Sequence, residues 1–178
     1  MIGIAPWLRF FAKPRLPVIL QTEAAECGLA CVAMVASHHG HEIDLPAMRR
    51  RFAVSLKGAT LKSLIAVAQA LGLHPRPLKL DLRHVPDLKL PCLLHWDMNH
   101  FVVLREVNRQ QAVIHDPAVG ERRLAMADFG EHFTGVALEL APGSDFQPQR
   151  ETRKIRLLEL MGRVVGLRRG LTQLLLLG

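Results

Sequence analysis

Several features that define other classes of protein are scarce in this sequence. It has three cysteines, Cys27, Cys31 and Cys92, which are too few and too oddly numbered for a disulfide framework and favour a reducing compartment. Aromatic residues make up only 5% of the chain, so we expect a core built mainly of leucine, valine and alanine. No stretch reaches the roughly 20 apolar residues that would span a bilayer. Charged residues and prolines within the first twenty residues argue against a signal peptide.

The positive charge of the chain is concentrated in a tail, residues 147–178. This tail holds seven arginines and lysines against two glutamates, a net of +5 of the total of +7. Apolar residues alternate with the basic ones at helical spacing, which fits a membrane surface better than nucleic acid. The leucine run at 171–178 resembles the start of a spanning segment, and we expect the chain to be a fragment of a longer protein. We therefore predict an N-terminal arm over 1–16, one domain over 17–146 and a basic linker over 147–178 that leads into a membrane domain.

The pattern of helix caps and apolar runs predicts an α+β fold. A helix is predicted from Glu26 to Ser37, a second runs from the Asp44 cap to Phe52, and a third begins at the Thr60 cap and ends at Gly72. Prolines then exclude long helices, and short apolar runs predict strands. These are Cys92–Trp96, His100–Val107, Ala112–His115 and Val136–Leu140. Turn residues at 108–111 and 117–120 predict that the strands form an antiparallel meander.

Cys27 is the candidate nucleophile because it falls in the first turn of the first predicted helix. Unpaired amides and the partial positive charge of a helix N-terminus stabilise a thiolate, the form that attacks a carbonyl. Cys31, one helical turn further on, is interpreted as a residue of the core. Gln21 lies six residues before Cys27, and its side-chain amide could join the backbone amide of the nucleophile in stabilising an oxyanion.

His100 is the candidate general base because it stands at the head of a predicted strand, where an imidazole is held rigidly yet reaches a cleft. His95 and His115 flank other strands and remain competitors for this role. If strands 100–107 and 112–116 pair as a hairpin, Asp116 comes close to His100. Its carboxylate could then accept the proton of the histidine Nδ1 and stabilise the imidazolium.

Three motifs in this order resemble the bacteriocin-processing peptidases of family C39. They are Gln21-Thr-Glu-Ala-Ala-Glu-Cys27-Gly28, Asn99-His100-Phe-Val-Val-Leu and His115-Asp116-Pro117-Ala-Val-Gly120, and Ser55-Leu-Lys-Gly58 between them also fits. The resemblance covers about residues 17–140 and is nearest to the colicin V type of exporter at Trp96-Asp-Met-Asn-His100. It implies a papain-like fold in which Gln21 is the oxyanion donor, Cys27 the nucleophile, His100 the base and Asp116 the residue that orients the base.

The same resemblance implies an activity and its partners. Such peptidases form the amino-terminal domain of exporters driven by ATP, and they cleave a leader after a double glycine at the cytoplasmic side of the membrane. We therefore expect a leader peptide as substrate, a homodimeric full-length transporter, and no cofactor or metal in this domain. ATP is expected only in a nucleotide-binding domain that this chain does not contain, and no nucleic acid is expected.

Two alternatives remain at this point. Relatives in toxin exporters lack the cysteine and bind without cutting, so a docking module for a leader peptide is one of them, although the presence of Cys27 disfavours it. The other is a zinc-binding regulator that would use Cys27, Cys31 and the histidines of 38–41. No second pair of ligands at finger spacing supports the zinc site.

Overall fold

A computed structural model describes residues 15–52 and 58–152 of the chain. The three predicted helices are confirmed as α1 (Cys27–His38), α2 (Leu45–Arg51) and α3 (Leu61–Ala70). The Asp44 side chain accepts a hydrogen bond from the Ala47 amide at 2.8 Å, and it caps α2 as its sequence predicts. Thr60 caps α3 in the same way, through the Ser63 amide at 3.1 Å. The predicted arm before residue 15 and most of the basic tail lie outside the described residues.

After the short strand β1 (His41–Ile43), six strands form one antiparallel sheet: β2 (Leu73–Lys79), β3 (Cys92–Trp96), β4 (His100–Val107), β5 (Gln111–Asp116), β6 (Gly120–Ala125) and β7 (Phe133–Pro142). Their order across the sheet is β2-β7-β3-β4-β5-β6. A short helix, α4 (Met126–His132), connects β6 to β7. The α+β class is therefore confirmed, and so are the four strands that the sequence predicts.

The predicted meander is only partly right. Strands β3 to β6 do follow one another across the sheet, but β7 returns to pair between β2 and β3 instead of following β6. The sequence analysis missed β2 because Pro75 and Pro77 suggested a loop. Both prolines are tolerated because β2 is an edge strand, where a missing amide breaks no ladder between two neighbours. It also missed β6, whose charged residues face outward at the opposite edge.

The sheet separates two apolar clusters. On one face α1 lies between the sheet and the other two helices, and ten of its twelve residues are buried, as expected for a helix that is apolar all round. On the other face α4 and a 3-10 segment (Leu82–Asp87) cover a second cluster around Trp96 and Phe129, whose rings meet edge to face at 5.1 Å. Successive side chains of β4 pack on opposite faces of the sheet, so Val103 belongs to the first cluster and Leu104 to the second.

Secondary structure continues past residue 146, where the sequence predicts that the domain ends. Residues Gln149–Glu151 form β8, which pairs in parallel with β1 (His41–Ile43) in a separate small sheet. The division of the chain at 16 and 146 stays a prediction. Among residues 15–52 and 58–152, no helix is long and apolar enough to cross a membrane.

Candidate active site

Cys27 is the first residue of α1, and a 3-10 turn (Ala24–Glu26) leads directly into it. Only 3% of the residue is exposed, and it borders a cleft of about 410 Å³. The other residues that line this cleft are Ala24, Ala25, Gly58, Ala59, His95, Met98, Asn99 and Phe101. The predicted position in the first helical turn is therefore confirmed, and the thiol lies beside a space that a peptide can enter.

The hairpin of β4 and β5 brings His100 and Asp116 together. The register pairs Val103 with His115, so Asp116 lies level with the start of β4. The imidazole Nε2–H of His100 donates to Asp116 Oδ1 at 2.8 Å. The expectation that Nδ1 would face this carboxylate is wrong, because Nε2 does; the Cys27 thiol interacts with the same imidazole, which lowers the pKa of the thiol. His100 thus bridges Cys27 and Asp116.

Asp116 has further partners that fix its orientation. The Ala118 amide donates to Oδ1 at 2.8 Å, inside the turn that the sequence predicts at 117–120. Arg122 of β6 lies 3.7 Å from Oδ2. Burial raises the pKa of Asp116, but the hydrogen bonds from His100 and Ala118 and the charge of Arg122 outweigh it and lower the pKa. The carboxylate is therefore ionised at neutral pH and can hold a cation beside it.

The electrostatics of the pair favour a thiolate and an imidazolium. Burial raises the pKa of Cys27, but the hydrogen bond and charge of His100, with backbone hydrogen bonds from Phe101 and Gly28, lower it below its ordinary value. Burial lowers the pKa of His100, but Asp116 and Cys27 outweigh it and raise the pKa to about 9. The attraction between sulfur and imidazole contributes to both shifts, and Asp116 adds to the shift of His100, so the three groups act together.

Gln21 lies where the chain enters the 3-10 turn. Its backbone amide donates to the Pro117 carbonyl at 2.8 Å, which ties the segment to the turn after Asp116. Its side-chain Oε1 is shielded from solvent and, among the described residues, has no hydrogen-bond partner. The structure thus places Gln21 between the start of α1 and the turn of Asp116, and gives its side-chain oxygen no structural bond.

The competing histidines have other partners. His95 Nδ1 lies 2.8 Å from Thr134 Oγ1, and its ring packs against Phe101. His115 lies between the Pro17 carbonyl, 3.2 Å from Nδ1, and Glu121, 3.3 Å from Nε2. His115 also lines a larger cleft of about 820 Å³, but that cleft is lined by neither Cys27 nor Asp116. Of the three histidines, His100 therefore has the geometry that a general base requires. The larger cleft, which neither Cys27 nor Asp116 lines, does not provide that geometry.

The remaining two thiols are buried away from this chemistry. Cys31 is fully buried, and its thiol donates to the Phe101 carbonyl at 3.3 Å. Burial, followed by the nearby Cys27 and Asp116, raises its pKa well above the ordinary value. Burial and then Glu139 raise the pKa of Cys92. Both thiols are protonated at neutral pH, so the interpretation of Cys31 as a core residue is confirmed.

No metal cluster supports the zinc hypothesis within the described ranges. Among residues 15–52 and 58–152, no three histidine, cysteine or acidic side chains are grouped closely enough to hold an ion. His41, a candidate ligand, is buried, and its Nε2 lies 2.9 Å from Glu151 Oε1. The expected lack of a metal or cofactor stays a prediction.

The sequence analysis missed several residues of the site. Met98 and Asn99 line the cleft from the turn between β3 and β4, where Asp97 and Met98 both have positive φ (47° and 62°). The Asp97-Met98-Asn99 segment enters the sequence analysis only as part of the family resemblance, without a role in the cleft. Glu26 was also missed, although a charged residue beside Cys27 in a stretch of small and apolar residues is a usable signal.

Comparisons with known proteins agree with this geometry. A family model, "Peptidase C39 family", matches residues 15–145. The chain belongs to the peptidase C39 family. The C39 match contains all four candidate residues, and among curated relatives the colicin V secretion/processing ATP-binding protein CvaB of Escherichia coli is 48% identical over 160 residues. That alignment covers 90% of this chain but only 23% of CvaB, so the chain spans about a quarter of such relatives.

Solved C39 domains share the fold. A double glycine motif protease from an AMS/PCAT transporter, solved in complex with its leader peptide, has a TM-score of 0.68 and 33% identity and covers 74% of this chain and 95% of that one. The peptidase domain of Streptococcus ComA, a bifunctional ABC transporter, has a TM-score of 0.66 and 28% identity, and covers 72% of this chain and 99% of that one. The expected papain-like α+β fold is confirmed.

Proposed function

We propose that this C39 domain is a cysteine endopeptidase that removes a double-glycine leader from a bacteriocin- or microcin-type precursor. The observation that carries the proposal is the contact of one imidazole, His100, with both the Cys27 thiol and the Asp116 carboxylate. A docking module needs no such arrangement, because binding alone gains nothing from an activated thiolate. Relatives named for secretion and processing, and a solved neighbour that holds a leader peptide, support the same substrate class.

Each side chain then has a defined step. The Cys27 thiolate attacks the carbonyl carbon of the last leader residue, and its sulfur becomes covalently bound to that carbon. The negative oxygen that forms is stabilised by the Cys27 amide and by the Gln21 side-chain amide. His100 gives its proton to the leaving amine, which leaves a thioester. His100 then accepts a proton from water, the water hydrolyses the thioester, and the thiolate is regenerated while Asp116 stabilises the imidazolium.

The shape of the cleft supports selection of glycine before the cut. Ala24, Ala25 and Ala59 are among the residues that line the cleft, and their short side chains let the backbone of a glycine residue approach Cys27 closely. An added methyl group that displaces the reacting carbonyl by about 1 Å would cost roughly 10²-fold in rate. Recognition farther upstream would come from apolar residues of a leader helix in a surface groove.

The place of the domain in a larger assembly is part of the proposal. By its family membership, we place it at the cytoplasmic face of the bacterial inner membrane, joined through the basic segment after residue 147 to the membrane and nucleotide-binding domains of an ABC transporter. ATP would act only in that nucleotide-binding domain. The full-length protein would be a homodimer, and no nucleic acid would take part.

The deciding experiment measures cleavage of synthetic leader peptides by this chain. Cleavage after a Gly-Gly leader, lost in Cys27→Ala, supports the proposal. Changing the last leader glycine to alanine should mainly lower kcat, whereas changing upstream apolar leader residues should raise KM. Binding of the leader without cleavage by the unmodified protein would instead identify a docking domain, and ready cleavage after leucine or arginine would identify a protease of another specificity.

A further inference from the structure

Glu26, the residue directly before Cys27, is a buried and fully bonded carboxylate. Only 3% of the residue is exposed. Its Oε2 accepts hydrogen bonds from the backbone amides of Thr22 at 3.1 Å and Glu23 at 3.0 Å. Hydrogen bonding to Arg49 lowers its pKa most, burial opposes this, and the two amides lower it further, to about 2. The residue that directly precedes the nucleophile in the sequence therefore carries a buried carboxylate that is ionised at neutral pH.

Arg49 of α2 holds this carboxylate through two nitrogens. Its Nε donates to Glu26 Oε1, and one terminal nitrogen donates to Oε2 at 2.8 Å. The same terminal nitrogen also donates to the Thr22 hydroxyl. A guanidinium that binds both oxygens fixes the plane of the carboxylate as well as its charge. Helix α2 is therefore connected, through Glu26, to the segment that precedes α1.

The segment connected in this way is the one that carries Gln21. Its next two residues, Thr22 and Glu23, give their amides to Glu26, and the Gln21 amide itself is bonded to the Pro117 carbonyl at 2.8 Å. The Gln21 side-chain oxygen has no partner among the described residues. The backbone that carries this side chain is held by hydrogen bonds on either side of it. One of these comes from the Asp116 turn and two come from Glu26.

We propose that Glu26 is a positioning residue that fixes Gln21 for oxyanion stabilisation, with Arg49 holding Glu26 in place. This inference rests on the proposed peptidase function but is separate from it. A carboxylate that only capped the 3-10 turn would affect the stability of the fold and not the rate of the chemical step. One that positions Gln21 must also affect the chemical step, because a donor contributes only when it lies within hydrogen-bond distance of the developing oxyanion.

The test is a double-mutant cycle on cleavage of a Gly-Gly leader peptide, with Glu26→Gln, Gln21→Ala and the double variant. Glutamine has nearly the shape of glutamate, but it replaces one carboxylate oxygen by an NH₂ group. That group cannot accept the hydrogen bonds that Thr22, Glu23 or Arg49 donate to Glu26. Glu26→Gln should lower kcat by about 10- to 10²-fold, the scale of a small misplacement of a catalytic group, with KM within about twofold. In the Gln21→Ala background the same change should lower kcat by less than about twofold, because the group that Glu26 positions is already missing.

Glu139→Gln is the matched control. Glu139 is likewise a buried carboxylate, bonded to Arg76 at 3.1 Å and to the Lys89 amide at 2.8 Å, but it lies on β7 and does not line the cleft. Its substitution should lower the melting temperature and leave kcat unchanged. An equal loss of kcat in Glu139→Gln, or a full loss from Glu26→Gln in the Gln21→Ala background, would assign Glu26 a purely structural role.

The remaining outcomes are also decisive. If Glu26→Gln does not fold, Arg49→Lys replaces it in the same cycle, since Arg49 is partly exposed and the backbone bonds of Glu26 remain. A smaller kcat loss that again disappears in Gln21→Ala supports the inference, and an additive loss overturns it. Failure of the unmodified chain to cleave any leader peptide would reject the proposed function. Normal cleavage by Glu26→Gln would reject this inference alone.

Discussion

Replacing Asp116 by asparagine isolates the effect of one charge on the thiolate–imidazolium pair. Asparagine keeps an oxygen that can accept the hydrogen bond from His100 Nε2, now 2.8 Å from Asp116, but removes the negative charge. The pKa of His100 is about 9 against an ordinary 6.5, a difference of about 3 kcal/mol. Burial opposes this rise, and both Asp116 and Cys27 produce it. Asp116 is the first of the two groups that raise the pKa, so removing its charge should lower the pKa of His100 by roughly one unit.

The sign of the effect on activity follows from the two shifted groups. The ion pair exists above the lowered pKa of Cys27 and below the raised pKa of His100. Cleavage should therefore rise with pH on the acid side and fall as the pH passes about 9. In Asp116→Asn the imidazolium loses its partner, so the basic limb moves down by about one unit, while the acid limb moves little because His100 is protonated throughout it. At neutral pH the imidazolium stays largely protonated, so kcat/KM should change little there, whereas at pH 9 and above it should fall by about five- to tenfold.

Two assays check this reasoning. The first is the pH profile of kcat/KM on a leader peptide, with the melting temperature recorded at each pH. The second is the rate of alkylation of Cys27 against pH, which needs no substrate and is selective because Cys31 and Cys92 are buried with raised thiol pKa values. A basic limb and an alkylation profile that both stay unchanged in Asp116→Asn would refute the role given to Asp116.

Four further substitutions test other parts of the site. Cys27→Ala should abolish cleavage but keep leader binding, whereas Cys31→Ala should stay active and lose about 1 kcal/mol of stability. Peptide kinetics and denaturant unfolding measure these effects. An equal loss of cleavage in both variants would contradict the assignment of Cys27 as the nucleophile. Gln21→Ala should lower kcat by about 10²- to 10³-fold with little change in affinity, and a near-normal rate would show that it supplies no oxyanion donor. Gly28→Ala should cost about 1–3 kcal/mol, because its new methyl group would lie 2.8 Å from Leu64; an unchanged melting curve would contradict this close packing.

The sequence predicted those elements whose signals are local. Asp44 and Thr60 cap their helices through amides three residues away, so short-range chemistry identifies both helix starts. The hairpin that joins His100 to Asp116 was also predictable, because a short turn fixes the register of two adjacent strands. The grouping of the candidate residues followed from these two kinds of signal.

Features that depend on distant pairing were not predictable from the sequence. Nothing near Pro75 indicates that this segment becomes an edge strand, since that depends on β7, which lies some sixty residues later in the chain. The contact between Glu26 and Arg49 joins a helix start to the following helix and has no sequence signature. The choice of Nε2 over Nδ1 for Asp116 depends on ring orientation in the folded cleft, which no residue pattern encodes.

The placement of β7 between β2 and β3 has a consequence for how the chain acquires its fold. Until Phe133–Pro142 has been synthesised, β2 has no partner in the sheet and β3 has one bare edge. Such unpaired backbone groups attract other chains, so a version shortened before residue 133 should aggregate even though it contains Cys27, His100 and Asp116. Possession of every reactive side chain is thus not sufficient for a working enzyme. The sheet is complete only when a late segment is inserted between β2 and β3, and such long-range pairing is slow.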